Sequence, residues 1–230
     1  MADLHWYDAT DLTIAGRGWT DTKNPYHRLP AKAEGTVREV IWDLGTRTTG
    51  ITVGFESDAT EIHARWSLGG DELSANHTPV YAFSGLDLYA RAPSGRLQWV
   101  GVSRGMTGLE AESILTDWGD LDGKRHEFRV YLPLYNSVKR LEIGVPEGSI
   151  MSASRPSTEP PVAYYGTSIV HGAGVSRPGM SHVAILGRRL DYPILNLGFS
   201  GNAVMEPEIA DLLAELDPVL YVIDSLPNMA

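Results

Sequence analysis

Cysteine is absent from the 230 residues, which removes a disulfide framework, a thiol nucleophile and a thiolate metal site together. Long apolar runs are missing too, and none approaches the roughly 18 residues that would suggest a membrane span. The opening Met1-Ala2-Asp3-Leu4-His5-Trp6 has neither a basic segment nor an apolar stretch, so it does not read as a secretory leader. Basic residues are outnumbered, 19 Lys and Arg against 29 Asp and Glu, for a formal net charge of −10. Nucleic-acid binding needs a Lys/Arg footprint, and none is evident. The seven histidines include no His-x-x-x-His pair, so neither a metal nor another cofactor is expected. Together these absences predict a soluble, cytoplasmic protein without a nucleic-acid or membrane partner. They leave the oligomeric state open.

What is present is ordinary for a globular chain: 43% hydrophobic and 21% charged residues. The length suits one large domain or two ordinary ones. From Arg38 to Val145 the dominant period is two. Ile51, Val53 and Phe55 alternate with Thr52 and Gly54, and Ile62, Ala64, Trp66 and Leu68 with Glu61, His63, Arg65 and Ser67. Further runs follow at Leu86 to Ala90, Leu97 to Val102, Phe128 to Leu132 and Leu141 to Val145. Gly69-Gly70, Ser94-Gly95, Asp122-Gly123 and Glu147-Gly148 supply turns between them. Short half-buried strands with no convincing helix and no internal repeat predict an antiparallel β-sandwich, jelly-roll-like, over residues 1–150. Gly105 to Gly119 reads as loop with a possible helical turn. Trp6, Trp19, Tyr26, His27, Tyr131 and Tyr135 read as core or inter-domain packing before a ligand platform.

A Ser/Pro-rich stretch over residues 151–161 reads as a linker, and the pattern then changes to strand, helix, strand, helix, strand. Val162 to Tyr165, Ile194 to Leu197 and Val219 to Ile223 are the strands. Pro178 opens one helix, with Met180, Val183, Ala184, Gly187 and Leu190 sharing a face, and Glu206-Pro207-Glu208 opens the other. Parallel strands joined this way make a βαβαβ unit over residues 162–230. The loops after the strands, Gly166-Thr167-Ser168, Gly198 to Asn202 and Asp224 to Asn228, should meet at one sheet edge. A hydroxyl, a glycine admitting close backbone approach and a carboxamide suit acyl transfer. Taken alone, Gly166-Thr167-Ser168 reads more readily as turn chemistry.

These residues also carry a resemblance. Tyr165-Gly166-Thr167-Ser168-Ile169, Asn196-Leu197-Gly198-Phe199-Ser200-Gly201-Asn202 and Asp224-Ser225-Leu226-Pro227-Asn228-Met229 are similar to the first three sequence blocks of the SGNH (GDSL-type) hydrolases. Arg177-Pro178-Gly179-Met180, Trp19-Thr20-Asp21-Thr22-Lys23 and Tyr131-Leu132-Pro133-Leu134-Tyr135-Asn136 resemble a bacterial subgroup. That subgroup has an N-terminal β-sandwich and includes polyketide-tailoring acyltransferases. The resemblance implies a flavodoxin-like α/β domain with Ser168 as nucleophile. It implies an oxyanion hole from the N–H groups of Ser168 and Gly201 and the side chain of Asn228. The partners it implies are an ester or acyl donor and an alcohol or sugar acceptor, without fixing the substrate or choosing hydrolysis over transfer.

Two departures stand beside it. Thr167 occupies the place of the motif's aspartate, a tolerant position. The fourth block, an Asp-x-x-His that supplies the base, is not among these residues, and His171 and His182 read as a loop and a helix-surface residue instead. A flavodoxin-like sheet has about five strands, so the α/β domain reads as incomplete, the N-terminal part of a longer polypeptide with weak or no turnover alone. The competing expectation is a carbohydrate-binding sandwich with a non-catalytic α/β remnant.

Overall fold

The computed structural model describes residues 3–116 and 121–229. Its first part runs β1 (Leu4–Asp8), β2 (Thr13–Ala15), α1 (Glu39–Thr46), β3 (Thr52–Ser57), β4 (His63–Leu68), α2 (Val80–Phe83) and β5 (Asp87–Arg91). There follow β6 (Leu97–Val102), β7 (Glu110–Ile114), β8 (His126–Tyr131), β9 (Val138–Pro146) and β10 (Met151–Ala153). The last part runs β11 (Val162–Gly166), α3 (Ser168–His171), α4 (His182–Leu190), β12 (Ile194–Gly198), α5 (Pro207–Leu213) and β13 (Leu220–Asp224).

Strands β1, β9, β4 and β7 form one antiparallel sheet, and β10, β3, β8, β5 and β6 a second, with β2 beside β10 on the β3 edge. Apolar side chains from both sheets, among them Phe55, Trp66, Leu88, Phe128 and Ile143, fill the space between them. Phe55 and Phe128 stack with centroids 5.3 Å apart. The two-sheet sandwich agrees with the period of two. Strict alternation fails on β3, where Thr52 to Phe55 are all buried. The α/β part covers that outer face: a Cβ on Gly50 would lie 2.4 Å from Asn196 Cβ, and Tyr89 and Tyr131 cluster with Ala184 of α4.

Three local readings need correction. α1 was not expected, because Val40-Ile41-Trp42 is a continuous apolar run that fits a strand as well as a helix. Ile41, Leu44 and Gly45 are its buried positions, at helical spacing. β7 falls where the sequence reads as loop with a helical turn. Its Glu-Ala-Glu-Ser-Ile sequence has weak strand character, but it is an edge strand, where charge is useful, and Glu112 stands opposite Arg65. Residues 117–119 of that segment lie outside the described residues. The helix opened at Pro178 is two elements. Pro178–Met180 is a 3-10 turn, and α4 starts afresh with Ser181 as its cap, accepting from Ala184 N–H at 3.3 Å. Met180 and Leu190 are exposed, and Val183 and Ala184 carry the buried stripe.

The parallel sheet has the order β12-β11-β13. Neighbouring side chains of β11 face opposite ways, as strand geometry requires. Tyr164 meets His182 of α4, while Tyr165 joins the cluster containing Ile209 and Leu212 of α5. β13 has no second neighbour among the described residues, and Leu220 and Ile223 are exposed.

Packing cuts across the boundary read from composition. Trp19, Leu29, Val37, Ile41 and Leu44 pack with Leu195, Leu197 and Phe199, in a core separate from that of the sandwich. Trp19 Nε1 donates to Glu215 at 3.1 Å, and Arg38 Nη1 to Asn202 Oδ1 at 3.0 Å. Met151–Ala153, inside the expected linker, pairs with β3. Part of the segment between β2 and β3 therefore packs into the core of the α/β part.

Candidate active site

Parallel register aligns the carboxyl ends of the three strands. Gly166 stands opposite Gly198 on one side and Asp224 on the other. Neighbouring strands lie about 4.8 Å apart, so the loops beyond them share one edge. Thr167 N–H donates to Asp224 O (3.1 Å) and Phe199 N–H to Gly166 O (2.8 Å). Two glycines permit this closeness. A Cβ on Gly198 would lie 2.2 Å from His171 N, and one on Gly166 would lie 2.5 Å from Val170 and 2.7 Å from Asp224 O. α3 therefore rests directly on the strand ends, with Ser168 as its first residue.

Thr167 caps α3, its Oγ1 accepting from Ile169 N–H at 3.4 Å, and Gly172 ends it at φ +107°. Ser168 is half-buried, and its hydroxyl bonds no other described residue. Gly201 is exposed at φ +71°, with nothing within 4 Å of an added Cβ. Asn228 sits in the 3-10 turn after β13, and its Nδ2 is buried with no hydrogen-bond partner among the described residues. An unpaired buried amide costs about 1–3 kcal/mol and calls for an acceptor. The three residues thus stand on adjacent strand ends.

Sequence reasoning gave no role in the site to the groups beneath this rim. Asn196 is buried. Its Nδ2 donates to Val170 O (2.8 Å), and its Oδ1 accepts from Gly198 N–H (3.0 Å). Arg28, also buried, donates to Asn196 O (2.9 Å) and Gly198 O (3.0 Å). Tyr135, from the loop after β8, places its hydroxyl 3.2 Å from Ser200 Oγ. The sandwich thus reaches the loop that carries Gly201.

His171 is not a loop residue: it closes α3 and is fully buried. Its Nε2 lies 2.6 Å from Leu134 O, and its ring stacks on Tyr135 at 4.2 Å. Burial, reinforced by Arg28, holds its pKa well below the usual imidazole value. His182 lies in the first turn of α4, half-buried and edge-on to Tyr164 at 5.3 Å. Burial lowers its pKa, while Asp224 and the Ile169 backbone work against that.

A second constellation joins the sandwich to the segment after α3. Asp87 of β5 is fully buried and accepts from Trp99 Nε1 (2.8 Å) and Gly179 N–H (2.9 Å). Arg177 Nε stands 3.3 Å away as an ion pair. Arg177 also lies over the Trp99 ring at 4.8 Å, and Arg188 over Tyr89 at 4.1 Å. Burial, opposed by Arg177 and the hydrogen bonds, pushes the Asp87 carboxyl up to about 6. The sequence offered a signal here, an aspartate within an apolar strand run, which a buried position tolerates only when it is paired.

Two clefts lie away from the strand ends that carry Ser168. One, of about 310 Å³, separates the sandwich from the amino ends of the parallel strands, between Arg91, Tyr131, Pro193 and Ile194. The other, of about 410 Å³, lies along β6 beside Trp99, Gln98, Asp122 and His126.

The family model for the N-terminus of SGNH-hydrolase-type esterases, GxDLY, matches residues 4–151. The chain belongs to that family. A second model, the GDSL-like lipase/acylhydrolase family, matches residues 159–230, and the SGNH resemblance drawn from the three blocks stands confirmed. The letters of the first model read here as Gly85-Leu86-Asp87-Leu88-Tyr89. Asp87 of this run is the group that accepts from Gly179, and the Tyr89 ring would lie 2.5 Å from a Cβ there. Among solved structures, one described as a GDSL-like lipase from Bacteroides ovatus matches 98% of this chain with 32% identity and a TM-score of 0.92. The salicylyl-acyltransferase SsfX3, from a tetracycline biosynthetic pathway, matches 98% with 20% identity and a TM-score of 0.77. A family two carbohydrate esterase from Clostridium thermocellum matches 78% with 14% identity and a TM-score of 0.52. The last two show likeness of fold alone. The chain spans 65% and 62% of the lengths of the first two proteins. No curated protein matches it.

Proposed function

We propose that this chain supplies the nucleophile and oxyanion hole of a serine esterase or acyltransferase. Ser168 Oγ attacks the carbonyl carbon of an ester, and its proton passes to a base. The carbonyl oxygen gains negative charge and accepts hydrogen bonds from Ser168 N–H, Gly201 N–H and Asn228 Nδ2. Collapse expels the alcohol, which takes up the proton, and leaves an acyl-Ser168. Water or an acceptor alcohol, including a sugar hydroxyl, then attacks that ester and regenerates Ser168. Serine at its free pKa is a poor nucleophile. His171 is engaged with Leu134 O, and His182 packs edge-on against Tyr164. We therefore assign the base to polypeptide outside these residues.

The observation that carries this reading is the buried, unpaired Nδ2 of Asn228 on the strand end beside that of Ser168. Fixed donors aimed at a developing oxyanion are worth about 2.7–4 kcal/mol of barrier each. A fluorophosphonate probe, applied to protein that also carries the assigned base, tests the assignment. Labelling at Ser168 that disappears in Ser168→Ala is expected. Absence of labelling, with retention on a polysaccharide, would favour the alternative of a carbohydrate-binding sandwich. The cleft beside Trp99, with its aromatic ring and the polar Gln98 and Asp122, is the feature that recommends that alternative.

A further inference from the structure

Arg28 is an unusual cation. It is among the largest fully buried side chains of the protein, and it forms no salt bridge with a described carboxylate. A buried charge is ordinarily paired. Here the guanidinium donates instead to four main-chain carbonyls. Nε reaches Arg47 O (2.8 Å) and Nη2 reaches Leu44 O (2.6 Å). Nη1 divides between Asn196 O (2.9 Å) and Gly198 O (3.0 Å).

The first pair lies at the carboxyl end of α1, where helix carbonyls lack intrahelical partners and a cation suits the dipole. The second pair lies at the end of β12, immediately before the loop that carries Gly201. Phe199, the next residue, lies under the guanidinium, with its ring centroid 5.0 Å from Cζ. One planar group therefore ties the N-terminal segment to the start of that loop. A flexible ammonium cannot reproduce this, since it lacks the rigid fork.

We propose that Arg28 is the positioning residue of the oxyanion loop: by clamping the Asn196 and Gly198 carbonyls it fixes the path from Gly198 to Gly201 and places a buried positive charge behind the developing oxyanion. The proposal rests on the reading of Gly201 as an oxyanion donor. It also accounts for Asn196, whose carbonyl Arg28 holds while its side chain holds Val170 of the nucleophile's helix.

Arg28→Lys and Arg28→Met test it with two readouts, amide hydrogen exchange and the rate of fluorophosphonate labelling at Ser168. In both variants, amides of residues 196–203 should exchange about tenfold faster or more, while β3, β8 and β9 keep parental protection. Labelling of Arg28→Met should slow by at least about tenfold, short of the roughly 10²–10³ seen when a donor is removed outright. Arg28→Lys, which keeps the charge but loses the fork, should fall between Arg28→Met and the parent. A folded Arg28→Met protein with parental exchange over residues 196–203, or with parental labelling, would overturn the proposal. So would global unfolding of both variants, which would make Arg28 a scaffold residue for the whole α/β part. If the parent is not labelled, the assignment of Ser168 fails instead, and the exchange measurement still decides the role of Arg28.

Discussion

Asn196 Nδ2 lies 2.8 Å from the carbonyl oxygen of Val170, so the strand leading to Gly201 holds the helix that begins with Ser168. The same amide takes Gly198 N–H on its oxygen at 3.0 Å. The helix of Ser168 and the loop of Gly201 thus share one buried side chain.

Asn196→Leu, which keeps the branched outline of the side chain, should therefore destabilise the protein. It leaves the Val170 carbonyl and the Gly198 N–H unpaired inside the protein, at about 1–3 kcal/mol each. A fall of roughly 2–4 kcal/mol in unfolding free energy is expected from denaturant titration, allowing for incomplete additivity. An unchanged midpoint would count against this hydrogen-bond arrangement.

Gly198 and Gly201 should respond to alanine for different reasons. At Gly198 the new Cβ would meet main-chain atoms of His171 at 2.2 and 2.6 Å, so α3 must lift from the strand ends. At Gly201 there is open space, and only the backbone conformation at φ +71° resists. That strain amounts to about 1–2 kcal/mol. Thermal unfolding should show a large loss for Gly198→Ala and a small one for Gly201→Ala. Equal losses would mean that the contact between α3 and β12 is looser than described.

Two buried groups should give opposite slopes of stability against pH. Asp87 has its folded pKa raised to about 6 from an ordinary 3.8. Its contribution is therefore full below the unfolded pKa and is lost as pH rises through the folded one. The size is about 3 kcal/mol at 1.36 kcal/mol per unit. His171 has its folded pKa depressed below 6.5, so its contribution is full above 6.5 and is lost as pH falls. Relative to Asp87→Asn, the parent should lose stability between pH 4 and pH 6.5. Relative to His171→Gln, it should gain stability as pH rises toward 6.5. A parent that tracks both variants in parallel would refute the stated burial of the two groups.

The strands and turns that carry Ser168, Gly201 and Asn228 were legible because strand ends and turn residues announce themselves locally. Val162 to Tyr165 followed by Gly166-Thr167-Ser168 needs only neighbouring residues to be read as strand and turn, and the three parallel strands fall where their apolar runs lie. Arg28, Asn196 and Asp87 were not legible as buried hydrogen-bonding groups. Their partners lie 168, 26 and 92 residues away, and no periodicity links an arginine near the start of a chain to a carbonyl near its end. Packing across the boundary was hidden for a related reason. Composition marks where the chain is Ser/Pro-rich, whereas Trp19 and Leu29 join the later core through contacts that leave no local trace. α1 was hidden differently, by an apolar triplet that fits two periods at once.

Asn228 gives the sharpest test of the reaction. Its Nδ2 is buried and unpaired, so replacing it should not remove an existing internal hydrogen bond and should leave stability nearly unchanged. In Asn228→Ala the tetrahedral state would lose one donor, at about 2.7–4 kcal/mol, or roughly 10²–10³ in rate. Fluorophosphonate labelling of Ser168 passes through a comparable charged state and should slow by a similar factor, with the thermal midpoint within a few degrees of the parent. Asn228→Asp should be at least as slow, because a carboxylate at that position repels the oxyanion it faces. If Asn228→Ala labels at the parental rate, the amide does not face the reacting oxygen, and the oxyanion hole must be assigned to other donors.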